Sequence, residues 1–177
     1  MLLKSCNIDS TLCYSGRIDR HSTARMIELA GIEIYNINDL PSVTDDDEVI
    51  LVDSQKGNSN IINMTGEEII CIDHHPTGAR TAAPDKEYRF YDIRPEAGAC
   101  ASIIASYFYE NNIPMDDNTA TVLCFGIRMD TKGLSRGVSN FDMDMLYRVF
   151  KNSNHAVIQS LENLSLIHIS EPTRHLR

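Results

Sequence analysis

The chain has 177 residues, 42% of them hydrophobic and 23% charged, and a formal net charge of −9. That length suits one core rather than two, and the acidic balance excludes a general electrostatic grip on extended duplex nucleic acid. No apolar stretch approaches the ~20 residues that span a bilayer, the start MLLKSCNIDS lacks the apolar core of a secretory signal, and the five cysteines form no CxxC pair, so they read as reduced thiols of a cytoplasmic protein.

In chain order, Ser10–Ser15 (STLCYS) reads as a first strand. Asp19–Ala30 (DRHSTARMIELA) reads as a helix that Gly31 stops. Ile32–Ile37 (IEIYNI) alternates as a strand does, and the acidic run DDDE at 45–48 reads as a solvated loop. Val49–Val52 (VILV) is a continuous apolar run ending in Asp53, the pattern of a strand covered on both faces. Ile69–Ile72 repeats that design and breaks into Asp73-His74-His75-Pro76. Glu87–Asp92 (EYRFYD) reads as a weaker edge strand. Gly98–Tyr109 and Asn118–Met129 read as buried helices, Phe141–Phe150 and Ala156–Leu161 as amphipathic ones. Strands alternating with helices predict an α/β fold with a parallel sheet.

Acids and imidazoles gather where this reading places strand ends and loops. Asp19 and His21 follow the first strand, Asp53 ends the third, Asp73, His74 and His75 end the fourth, and Asp130 ends the helix before Thr131. Taken singly, each has a plain structural role: Asp19 as a helix cap, His21 as a surface histidine, Asp53 and Asp130 as turn acids. Taken together, they point to one crevice, because the carboxyl ends of neighbouring parallel strands converge there. Mixed carboxylate and imidazole donors suit a divalent metal better than a thiolate-seeking one.

The stretches VILVDSQ, CIDHHP, GACAS and GIRMDT occur in this order. They resemble the successive motifs of the DHH phosphoesterase family, the group of RecJ, nano-RNase and pAp-phosphatase, to which the manganese-dependent inorganic pyrophosphatases are related. The resemblance covers roughly residues 10–150. It implies a parallel five-stranded sheet flanked by helices on both faces, and a hydrolase of phosphate esters using one or two Mn2+ ions. By position, it implies Asp53 as the carboxylate bridging two metals, His74 and Asp130 as further ligands, Asp73 as an orienting acid, and His75 as the group facing the phosphate.

The first motif departs from the family's pattern, a histidine, an aspartate four residues on, and a second aspartate two further. In SGRIDRHS, residues 15–22, Ser15 stands at the histidine and His21 at the second aspartate, and only Asp19 is kept. Asp19 and His21 remain candidate ligands of a first metal, without the family's full charge.

The last fourteen residues, 164–177 (LSLIHISEPTRHLR), resemble the translation of a transposase-based sequencing adapter. They are expected to be a non-native tail, so His168 and His175 are set aside. The expected domain is 1–163, with the family's glycine-rich C-terminal substrate domain missing and little activity from the fragment alone. The expected function is hydrolysis of small nucleotides or short oligoribonucleotides. The alternatives are a non-hydrolytic nucleotide or phosphate binder and a pyrophosphatase-like enzyme. A homodimer is left open by the sequence.

Overall fold

The computed structural model describes residues 1–41, 43–57, 61–62, 65–77 and 88–170, the last six as backbone only. A short helix α1 (Leu2–Ser5) is followed by β1 (Cys13–Tyr14), α2 (His21–Leu29) and β2 (Tyr35–Asn36). Then come β3 (Glu48–Val52), β4 (Glu67–Asp73), β5 (Phe90–Ile93), and four consecutive helices: α3 (Cys100–Glu110), α4 (Asp117–Asp130), α5 (Asn140–Phe150) and α6 (His155–Ser170). The fold is α/β with parallel strands flanked by helices, as expected.

The five strands do not form one continuous sheet. β1 and β2 pair in parallel over two residues each, while β3, β4 and β5 form a separate parallel sheet in that order. The expected strand Ile32–Ile37 is cut short by its own side chains. Asn36 accepts a hydrogen bond from Asn38 N at 3.0 Å and bends Ile37–Asp39 into a 3-10 turn, the local competition that Asn and Asp offer to a strand ladder. Most other expected elements shift by a residue or two, but the first strand, expected at Ser10–Ser15, is only Cys13–Tyr14, and the last helix, expected at Ala156–Leu161, runs from His155 to Ser170. The helix expected from Asp19 begins at His21, leaving Asp19 in the loop before it. The edge strand expected at Glu87–Asp92 runs Phe90–Ile93, and Glu87 lies outside the described residues.

Continuous apolar sequence places β4 at the centre. Cys71 and Ile72 are buried on the sheet, and Ile72 packs with Ala97, Cys100 and Ile103 where α3 crosses it. A larger core joins α3, α4 and α5 through Phe108, Ile127, Met145 and Val149. Met26, Phe125 and Leu161 tie α2, α4 and α6 together. Each such side chain, fully buried, contributes about 1.5–3 kcal/mol. α6 continues to Ser170, through the first half of the segment expected to be a non-native tail. Among the residues whose side chains are described, the buried ones of α6, Ile158 and Leu161, precede that segment.

A polar pin holds the α3 entrance against α5. Asp142 is fully buried and accepts from Gly98 N at 2.8 Å, Ser102 Oγ at 2.6 Å, and Ser139 N and Oγ at 2.8 and 2.6 Å. Gly98 must be glycine there: a Cβ would lie 2.5 Å from the Gly137 carbonyl oxygen and 3.1 Å from Asp142 Oδ2. No helix among the described residues is long and apolar enough to cross a membrane.

Candidate metal centre at the strand ends

The register of β3 on β4 sets the centre. Val52 lies opposite Ile72, so the residues that follow, Asp53 and Asp73, leave the two strands side by side. Asp53 N donates to the Ile72 carbonyl at 2.9 Å and closes the ladder. The backbone then turns left-handed at Asp53, with φ of 60°. A non-glycine residue reaches that region at some conformational cost, which aspartate tolerates better than most. Such outliers concentrate where a side chain must be aimed, and here the aimed group is a half-exposed carboxylate.

Asp73 has the opposite character. It is fully buried, and its Oδ1 accepts from His74 N at 2.7 Å, His75 N at 3.2 Å and His75 Nδ1 at 2.8 Å, while Oδ2 accepts from Gln55 Nε2 at 2.8 Å. Burial pushes its pKa up, yet the bonds from His75, Gln55 and the backbone outweigh that and hold it below the usual carboxylate range. Asp73 is therefore a fixed anion that orients the two histidines. Gln55, itself buried, also donates to the His75 carbonyl at 2.8 Å and locks the turn. Sequence reasoning did not single out Gln55. Its only signal is its place two residues after Asp53 in VILVDSQ.

His74 is held at both ring nitrogens. Nδ1 lies 3.1 Å from the Ala97 carbonyl, which makes it the proton donor there, and Nε2 lies 3.2 Å from Asp53 Oδ1. The hydrogen bond to Asp53 raises its pKa to about 9, against the opposing effect of burial, with Ala97 and the charges of Asp53 and Asp130 adding to the rise. A carbonyl on Nδ1 and a carboxylate beside Nε2 form the arrangement that aims an imidazole at a metal. The ring of His75 sits 4.4 Å from that of His74, and its Nδ1 lies 3.9 Å from Asp53 Oδ1.

Asp53, Asp73, His74 and His75 each offer one donor atom, and all four atoms lie within 4.8 Å of one another. The set of two carboxylates and two imidazoles fits a divalent cation of the manganese type. Such an ion supplies Lewis acidity and activates water at neutral pH. Asp130, the last residue of α4, stands outside that group but within its electrostatic reach. Burial and the Asp53 charge raise its pKa, and His74, Arg20 and His75 pull it down. Asp19 and His21 are not in the group either. Both are exposed, and Asp19 Oδ1 pairs with Arg17 Nε at 3.1 Å.

The profile of the DHH family N-terminal domain matches residues 5–127. The chain belongs to the DHH family. This is a family of metal-dependent phosphoesterases, and its naming motif here is Asp73-His74-His75. The DHH match ends three residues before Asp130, so that acid is connected to the site by its charge acting on His74 rather than by the matched span. The chain is also similar to an uncharacterized protein of Methanocaldococcus jannaschii, MJ1633, at 30% identity over 162 residues, covering 92% of this chain and 32% of that protein. The chain thus spans about a third of the length of the curated relative it matches.

Proposed function

We propose that this DHH domain is the metal-binding half of a manganese-dependent phosphoesterase that hydrolyses small nucleotides or short oligoribonucleotides. The observation that carries the reading is the convergence of Asp53, Asp73, His74 and His75 within 4.8 Å at the ends of two adjacent parallel strands. Asp53, His74 and Asp130 hold the cation, with Asp19 and His21 as candidate ligands of a second. Asp73 fixes the histidines. His75, tied to Asp73 through Nδ1, keeps Nε2 for a phosphate oxygen. The substrate's nucleotide portion is held by surfaces beyond these residues, and correct positioning of reactants can be worth about 7–11 kcal/mol of a barrier. The domain alone is therefore a slow catalyst.

The test is manganese-dependent turnover of a dinucleotide by the full-length gene product, compared with its His75→Ala variant. The reading expects turnover that depends on Mn2+ and falls by 100-fold or more in the variant. A second reading, a phosphate or nucleotide binder without turnover, is favoured by the exposed Arg17–Asp19 pair, which engages the retained acid of the first motif. Nucleotide binding with no turnover at any manganese concentration decides for it.

A further inference from the structure

The helix α5 has two apolar faces, and the fold buries one of them. Met145, Leu146 and Val149 pack into the core with α3 and α4. Met143, Tyr147 and Phe150 follow one another at i, i+4 and i+7, the spacing of a stripe along one side of a helix. That stripe faces outward, with its three side chains 50%, 63% and 41% exposed. Apolar side chains exposed singly are ordinary, whereas a contiguous set marks an interaction surface. Among the described residues, no other helix exposes more than one large apolar side chain. Phe90 and Tyr91 are exposed together, but they are consecutive in β5 and point to opposite faces of the sheet.

Two of the three side chains are held in place. The His155 ring stacks on Phe150 with centroids 3.9 Å apart, and its Nε2 lies 2.7 Å from the Phe150 carbonyl oxygen. Lys151 Nζ lies 4.3 Å from the centroid of the Tyr147 ring. Groups ordered before association lose less freedom on binding.

The charges beside the stripe select what can cover it. At 3.6 residues per turn, Asp144, Arg148 and Lys151 all fall on one flank of it, and Asp144 Oδ2 pairs with Arg148 Nε at 3.0 Å. Two copies of α5 related by a two-fold axis at Tyr147 run antiparallel. Met143 of each copy then meets Phe150 of the other, and Tyr147 meets Tyr147. The charged flanks meet as well, and each Asp144 comes beside Arg148 and Lys151 of the other copy. A parallel pairing would set Asp144 against Asp144 and Lys151 against Lys151. The surface is therefore complementary to itself in the one arrangement that a two-fold dimer requires. In a chain of net charge −9, most surfaces repel a second copy. This flank carries two cations to one carboxylate and is spared that repulsion.

We propose that the outer face of α5 is a dimer interface between two copies of this chain, packed antiparallel about Tyr147. One helix face buries less than the ~800 Å² per partner of a standard interface, so the dimer is weak, with a dissociation constant on the order of 100 µM. The inference is independent of the phosphoesterase reading.

The experiment is sedimentation equilibrium of the full chain from ~10 µM to ~1 mM, a range that brackets the expected constant. The chains compared are the natural one, Tyr147→Asp, Asp144→Lys and the double variant Asp144→Lys/Lys151→Asp. All three positions are exposed, so the variants keep the fold, which circular dichroism checks. The average mass of the natural chain should rise from that of one chain toward that of two. Tyr147→Asp should weaken association at least tenfold. Asp144→Lys should weaken it severalfold, and the double variant should recover part of the loss. A natural chain that stays monomeric throughout, or a dimer that Tyr147→Asp leaves intact, overturns the interface. An Asp144→Lys chain that associates as well as the natural one overturns the antiparallel register.

Discussion

Gln55 shows how much of this centre depends on a residue with no charge. Its amide nitrogen serves Asp73 Oδ2 and the His75 carbonyl together. Gln55→Ala leaves a buried carboxylate oxygen without its donor, at a cost of about 1–3 kcal/mol. Outer partners of a metal site carry roughly 10–100-fold of its affinity, so the variant should bind Mn2+ at least tenfold more weakly. A thermal melt and a manganese titration check both effects. An unchanged affinity would mean that Asp73 holds the histidines unaided. At this scale the sequence was most informative where an apolar run stopped abruptly: Asp53, Asp73, His74 and His75 all stand out that way. It was silent on Gln55, because a hydrogen-bond partner twenty residues off leaves no local periodicity. The Arg17–Asp19 pair was equally hidden, since an exposed ion pair of this kind contributes only ~0–1 kcal/mol and imposes no pattern.

Among the elements, the α3 entrance and α5 are joined by one carboxylate, which makes their docking pH-dependent. Asp142 is pushed up by burial and pulled down further by Ser102, Ser139 and the Gly98 amide, with a net lowering. A depressed carboxylate stabilises the fold above its unfolded pKa of ~3.9, and that stability is lost as pH falls through the lower folded value. Asp142→Asn removes this term and places a donor among donors. Its melting temperature should fall at pH 7, and the difference from the natural chain should begin to shrink only below about pH 4 and close under the lowered folded pKa. A constant difference across that range would show that the carboxylate's charge is immaterial. Gly98→Ala drives a methyl into the Gly137 carbonyl and should cost at least as much as an overpacked core, ~1–3 kcal/mol, read by urea unfolding. β3, β4 and the helices α2 to α5 were legible from apolar runs and 3.6-residue periodicity, while the short α1 was not anticipated. The split of the strands into two sheets was not. Pairing is a long-range choice, and the Asn36–Asn38 turn that shortens β2 is a side-chain event.

For the whole molecule, Ile158 and Leu161 are buried side chains of α6 that precede residue 164. If 164–177 is a non-native tail, a chain ending at residue 163 should keep its melting temperature within about 3 °C and its manganese affinity within twofold. A loss of more than ~2 kcal/mol, which shifts melting by several degrees in a domain of this size, would show that the tail belongs to the fold. The central claim, that the strand ends of this DHH domain bind a divalent ion, has a more direct test. Calorimetry should find saturable Mn2+ binding by the natural chain and none by Asp53→Asn, whose carboxylate faces both histidines. Equal affinity in the two proteins, with circular dichroism showing both folded, would contradict the account.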